Sequence, residues 1–88
     1  MSAESITVDV RYFAVLRERM GVAAERVSLP AGDFRSLCAA LRTRHPETAD
    51  ALDDPSIRIA LNDELLTEAP TELADGDTVA FLPPVTGG

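Results

Sequence analysis

Gly87-Gly88 closes a sequence of 88 residues, and the segment before it reads Pro83-Pro84-Val85-Thr86. Two prolines stiffen a chain and direct it outward, while two glycines lack the Cβ atoms that would block passage through a narrow slot. Fully extended, the segment from Pro83 to Gly88 reaches roughly 20 Å. This arrangement suits delivery of the Gly88 carboxylate into the active site of another protein. A free α-carboxylate has a pKa of about 3.5, so at neutral pH it is ionised, resonance-stabilised and a poor electrophile. Conversion to an acyl adenylate supplies a leaving group, after which a sulfur donor gives a thiocarboxylate, or an enzyme cysteine gives a thioester. Either product makes the chain a carrier.

The other candidate groups point to less. With one His and one Cys there is no zinc set, and no glycine-rich phosphate loop occurs. Cys38 falls on an apolar helical stripe, where a free cysteine reads as a small buried hydrophobe rather than a nucleophile. His45 reads as a surface residue rather than a base, and Asp50, Asp53 and Asp54 as a solvated acidic turn, since their spacing is not that of a calcium loop. Arg11, Arg17 and Arg19 read as an exposed face, with a docking patch as the alternative. The chain has 8 Arg and no Lys against 15 Asp plus Glu, a formal charge of -7. That balance repels a phosphate backbone and argues against nucleic acid, while suiting a partner with a basic surface. One Cys closes no internal disulfide, Met1 to Ser5 has no signal-peptide character, and no apolar run approaches membrane length, so the expected setting is the cytoplasm.

The elements that must hold such a tail follow from periodicity. Ile6, Val8, Val10 and Tyr12 alternate with Thr7, Asp9, Arg11 and Phe13, the pattern of a half-buried strand. Phe13, Leu16 and Met20 then recur at helical spacing up to Gly21, which suits a left-handed C-cap. Arg26 to Leu29 predicts a second strand ended by Pro30 and Gly32. Phe34, Leu37, Cys38 and Leu41 predict the main helix, with Asp33 as N-cap and Pro46 beyond its end. Glu47 to Pro55 is acidic and turn-prone, Ile57 to Leu61 alternates as a third strand, and Asn62-Asp63 turns into a short segment, Glu64 to Leu66. Asp75-Gly76-Asp77 makes a further turn before Thr78 to Leu82, the last strand. The class is α+β, a small mixed sheet with one main helix on one face. The division is a domain over 1–82 and an extended tail over 83–88.

Arg11-Tyr12-Phe13-Ala14, continuing through Leu16-Arg17-Glu18-Arg19 to Gly21, and the run from Leu73 through Asp75-Gly76-Asp77 to Gly88, resemble the MoaD family, the sulfur carrier subunits of molybdopterin synthase within the ThiS superfamily. The resemblance spans nearly the whole chain and is most specific from Asp75 to Gly88. It implies a β-grasp, ubiquitin-like fold. It also implies that a MoeB-like enzyme adenylates Gly88, that a sulfurtransferase supplies the sulfur, and that the thiocarboxylate serves cyclic pyranopterin monophosphate in a MoaE-like large subunit. Partner contact would then fall to Phe81, Pro83, Pro84, Val85, Thr86 and Gly87, together with the apolar sheet surface. ATP, zinc and the pterin would be bound by those partners rather than by this chain, in a heterotetramer of two small and two large subunits. Alternatives are a sulfur carrier for thiamine-thiazole or cysteine biosynthesis, and a ubiquitin-like modifier or interaction module.

Overall fold

The computed structural model describes residues 5–30 and 32–83. Strand β1 (Ile6–Tyr12) leads into a one-and-a-half-turn helix α1 (Val15–Met20), then strand β2 (Ala24–Leu29) and the main helix α2 (Phe34–Arg44). A 3-10 turn (Ala49–Asp53) precedes strands β3 (Arg58–Leu61), β4 (Glu64–Leu65) and β5 (Thr78–Leu82). The strands form one sheet in the order β2-β1-β5-β3-β4. The β1–β5 pair is parallel and the other pairs are antiparallel. This is the α+β architecture expected from the periodicity, and it is the β-grasp arrangement.

Alternation decides which face each strand buries. Val8, Val10 and Tyr12 of β1, Val27 and Leu29 of β2, and Val79 and Phe81 of β5 are buried, and Leu37 and Leu41 of α2 close over them. Leu37 is 0% exposed, and full burial of such a side chain is worth about 1.5–3 kcal/mol. Helix α2 starts where the sequence places it, because the Asp33 carboxylate accepts a hydrogen bond from the Ser36 amide at 2.7 Å. That bond holds the Asp33 carboxyl below its ordinary range. At the turn into β4, Asn62 and Asp63 both adopt positive φ, 52° and 73°, as the hairpin requires of polar residues.

Two boundaries differ from the sequence reading by two residues, and those of β3 and β4 by one. Strand β2 begins at Ala24, because β1 supplies partners as far as the Arg11–Ala24 pair. Helix α1 begins at Val15, because Ala14 takes φ 53° and ψ -127°, a strained conformation for an L-residue, and so separates strand from helix. Phe13 therefore does not join the α1 stripe with Leu16 and Met20, and it is 45% exposed.

At Gly32 two backbone segments approach closely. The Leu73 amide donates to the Gly32 carbonyl at 2.9 Å, and Asp33 and Glu72 form an isolated bridge beside it. A Cβ on Gly32 would lie 2.7 Å from the Leu73 carbonyl oxygen. Gly32→Ala is expected to destabilise the domain by about 1–3 kcal/mol, because backbone rather than a side chain must move. A denaturant midpoint equal to that of the parent would show that the two segments separate freely.

Candidate functional site

Strand β5 directly precedes the segment 83–88. Phe81 pairs with Tyr12 across the parallel ladder, and the Phe13 amide donates to the Phe81 carbonyl at 3.3 Å. Phe81 was expected among the partner-binding residues. It is instead 2% exposed, stacked on Tyr12 at 6.0 Å and tilted against Phe34 at 6.3 Å. The reason is parity: with Val79 it faces α2, so its side chain packs inside the domain and anchors the strand. Pro83, half-buried, borders a hollow with Val15, Leu16, Arg19 and Ile57. Pro84, Val85, Thr86, Gly87 and Gly88 lie outside the described residues.

The opposite sheet face carries an apolar strip defined by register. Ala80 pairs with Arg11 on one side and Ala60 on the other, and Ala60 pairs with Leu65. Leu82 is two residues beyond Ala80 on the same face, and Phe13 lies beside Ala80 in a shallow depression with Asn62, Asp63 and Thr78. Leu65 is 53% exposed and Phe13 45%, the most open large apolar side chains on this face. Exposed apolar residues in contiguous register mark an interaction surface better than scattered ones do. Arg11 sits at the edge of the strip, paired with Asp9 at 3.1 Å, whereas Arg17 and Arg19 lie on α1, so the three arginines form no single patch.

Behind β5, a network that sequence reasoning missed secures Tyr12. Its hydroxyl donates to Glu25 Oε2 at 2.7 Å, and His45 Nε2 contacts the same oxygen at 2.8 Å. An ionised carboxylate only accepts, so Nε2 carries the proton. Arg44 Nη1 lies 3.4 Å from the other Glu25 oxygen and donates to the Arg26 carbonyl at 2.7 Å. His45 is thus not the surface residue expected, since its side chain is only 16% exposed and it ties the end of α2 to β2 and β1. Nothing in the strand pattern distinguished Glu25, although a carboxylate on the inward face of β2 was the available signal.

Burial pushes the Glu25 carboxyl up, but the hydrogen bonds from Tyr12 and His45 and the charges of His45 and Arg44 outweigh it and leave it below its ordinary value. Burial first, then the Glu25 hydrogen bond, pushes the Tyr12 phenol up. A depressed carboxyl contributes stability that is present above its unfolded value and lost as pH falls through its folded one. A raised phenol contributes stability that is present below its unfolded value and lost as pH climbs above it. Glu25→Gln is therefore expected to flatten the acid limb of the stability profile, and Tyr12→Phe the alkaline limb. Unchanged limbs in chemical denaturation across pH would remove the network from the stability account.

The remaining groups offer no chemistry of their own. Cys38 is half-buried rather than fully enclosed, and burial pushes its thiol up, away from the reactive thiolate. Asp50 and Asp53 pair with Arg42, while Asp54 accepts from the Ser56 amide and hydroxyl. Among the described residues no cluster of His, Cys, Asp and Glu could hold a metal, and no helix is long and apolar enough to cross a membrane.

The sheet order, the single covering helix and the open face define a ubiquitin-like β-grasp protein. A profile of the ThiS family matches residues 10–88. The molybdopterin synthase sulfur carrier subunit of Escherichia coli is 37% identical over 81 residues, covering 92% of this chain and 99% of that protein. Among solved structures, small archaeal modifier protein 1 from Methanosarcina acetivorans superposes with a TM-score of 0.77 at 27% identity, covering 97% of this chain and 99% of the other. A chain of the complex of subunits 1 and 2 of the molybdopterin-converting factor from Helicobacter pylori is 34% identical, with a TM-score of 0.62 over 94% of this chain and 100% of its own. The chain belongs to the ThiS family, and its likeness to molybdopterin synthase sulfur carrier subunits runs over most of its length.

Proposed function

We propose that this chain is the sulfur carrier subunit of a molybdopterin synthase. The observation that carries the reading is the match to the Escherichia coli sulfur carrier subunit over 92% of the chain, joined to a family match that includes Gly87 and Gly88. The Gly88 carboxylate attacks the α-phosphorus of ATP on a MoeB-like enzyme, releasing pyrophosphate. The outer sulfur of a persulfide on a sulfurtransferase then attacks the acyl carbon and expels AMP. A thiol cleaves the resulting acyl disulfide with formation of a disulfide, and the thiocarboxylate so released is delivered to cyclic pyranopterin monophosphate in the MoaE-like subunit. ATP, zinc and the pterin belong to those partners. This chain contributes the reactive terminus, the segment Pro83 to Gly87 that directs it, and the open-face strip that orients it, within a cytoplasmic heterotetramer.

The testing measurement is the intact mass of the protein isolated from its own cells, with fragmentation of its C-terminal peptide. Exchange of one Gly88 carboxylate oxygen for sulfur is the expected result. An unmodified terminus, even after incubation with an activating enzyme, ATP and a sulfur donor, would overturn carriage. The likeness to an archaeal modifier protein favours a second reading, conjugation of Gly88 to lysines of other proteins. Isopeptide-linked Gly88 in the same digest would support it.

The open-face strip gives a separate expectation. Leu65→Asp should weaken binding to the large subunit at least about tenfold, as loss of a central apolar contact does, because a carboxylate would be desolvated there. Its melting temperature should stay near that of the parent, since Leu65 is exposed. Undiminished binding by calorimetry would move the interface off this face.

A further inference from the structure

Helix α2 contacts β2 and reaches Phe81 of β5 through Phe34, leaving the inward face of β3 closed only in part by the 3-10 turn and the loop after β4. The result is an open groove of about 430 Å³ floored by Phe34, Leu52, Ile57, Ile59, Leu66 and Phe81. Its volume is within the range of pockets that take a ligand or a side chain. Around the rim stand the carboxylates of Asp53, Asp54 and Glu68. Arg58 borders the groove through its strand, but its register partner is Leu82, so its side chain belongs to the opposite face. Arg42 pairs with Asp53, whereas among the described residues no salt bridge engages Asp54 or Glu68. Asp53, Asp54 and Ile57 also line the adjoining hollow that contains Val15 and Pro83, so the groove runs up to the root of segment 83–88.

We propose that this groove docks a segment of a partner protein that carries one apolar side chain between basic residues. An apolar side chain removes the Phe34, Ile59 and Leu66 surfaces from water, and the flanking cations meet Asp54 and Glu68. An acidic segment would be repelled there by the rim and by the charge of -7 on the chain. The groove and the Phe13–Leu65 strip are on opposite faces of the sheet, so a protein can hold the carrier here while the strip is occupied. The assignment goes beyond the sulfur-carrier reading and does not depend on it.

The test is titration of the isotope-labelled full chain with the peptide acetyl-Arg-Leu-Arg-amide, followed by amide chemical shifts. Shifts are expected over residues 52–59 and 66–69, fading as ionic strength rises to roughly 0.3 M. Glu68→Lys should weaken the response about threefold to tenfold, and Glu68→Gln by less, with both spectra remaining dispersed. The proposal is overturned if millimolar peptide shifts nothing, or if the shifts gather on Ala60, Leu65 and Ala80. It is equally overturned if acetyl-Glu-Leu-Glu-amide acts as strongly. Shifts of the same amides with protein concentration alone would overturn it in favour of a second copy of the chain.

Discussion

Removal of Gly88, or extension of the chain beyond it by one residue, is expected to reduce sulfur transfer to background while leaving the melting temperature unchanged. One residue displaces the reacting carbonyl carbon by about 3.5 Å. Misplacement of a reacting atom by about 1 Å already costs on the order of a hundredfold. An added residue other than glycine would also bring a side chain into a slot suited to residues without a Cβ. Single-turnover transfer to the pterin in the assembled complex, beside a thermal melt of the free chain, separates the chemistry from the fold. Transfer at the parental rate by the truncated chain would refute the assignment of Gly88.

The second large effect is at Phe81. Phe81→Ala removes a ring that is 2% exposed and packed on Tyr12 and Phe34, and the loss expected of such a truncation is about 3–5 kcal/mol. In a domain of this size each kcal/mol lowers the melting temperature by about 4–8 °C, and total stability is often only about 5–15 kcal/mol. The variant should therefore melt far below the parent or fail to fold, while Phe81→Leu, which keeps an apolar side chain in place, should lose much less. A melt of Phe81→Ala near that of the parent would return the ring to the surface role first expected of it.

Local signals in the sequence were sufficient to place most of the elements. Hydrophobic alternation placed β1, β3 and β5 within a residue or so, the stripe from Phe34 to Leu41 placed α2, and Asp33 announced its cap, because each signal is local to the element it defines. The Asn62-Asp63 turn was legible for the same reason. What alternation does not reveal is which of two faces a helix will cover. Phe13 and Phe81 were therefore assigned to the wrong environments: Phe13 is left outside by the turn at Ala14, and Phe81 is drawn inward by the parity of β5. The Tyr12–Glu25–His45 network joins three separate elements, and the one local hint of it was a carboxylate on the inward face of β2. The reading of the terminus rests on residue type and position and on family resemblance, and residues 84–88 lie outside the described part of the fold.

The place of β5 also matters when the segment beyond it is pulled. Residues 78–82 are held on one side by β1 in parallel and on the other by β3, so traction applied at Pro83 runs along the strand. The ladder bonds on both flanks lie across that direction and are loaded in shear together, instead of opening one after another as they would at the edge strands β2 and β4. Traction at Pro83 is therefore resisted by both flanking ladders at once, and the sheet does not unravel strand by strand from that point.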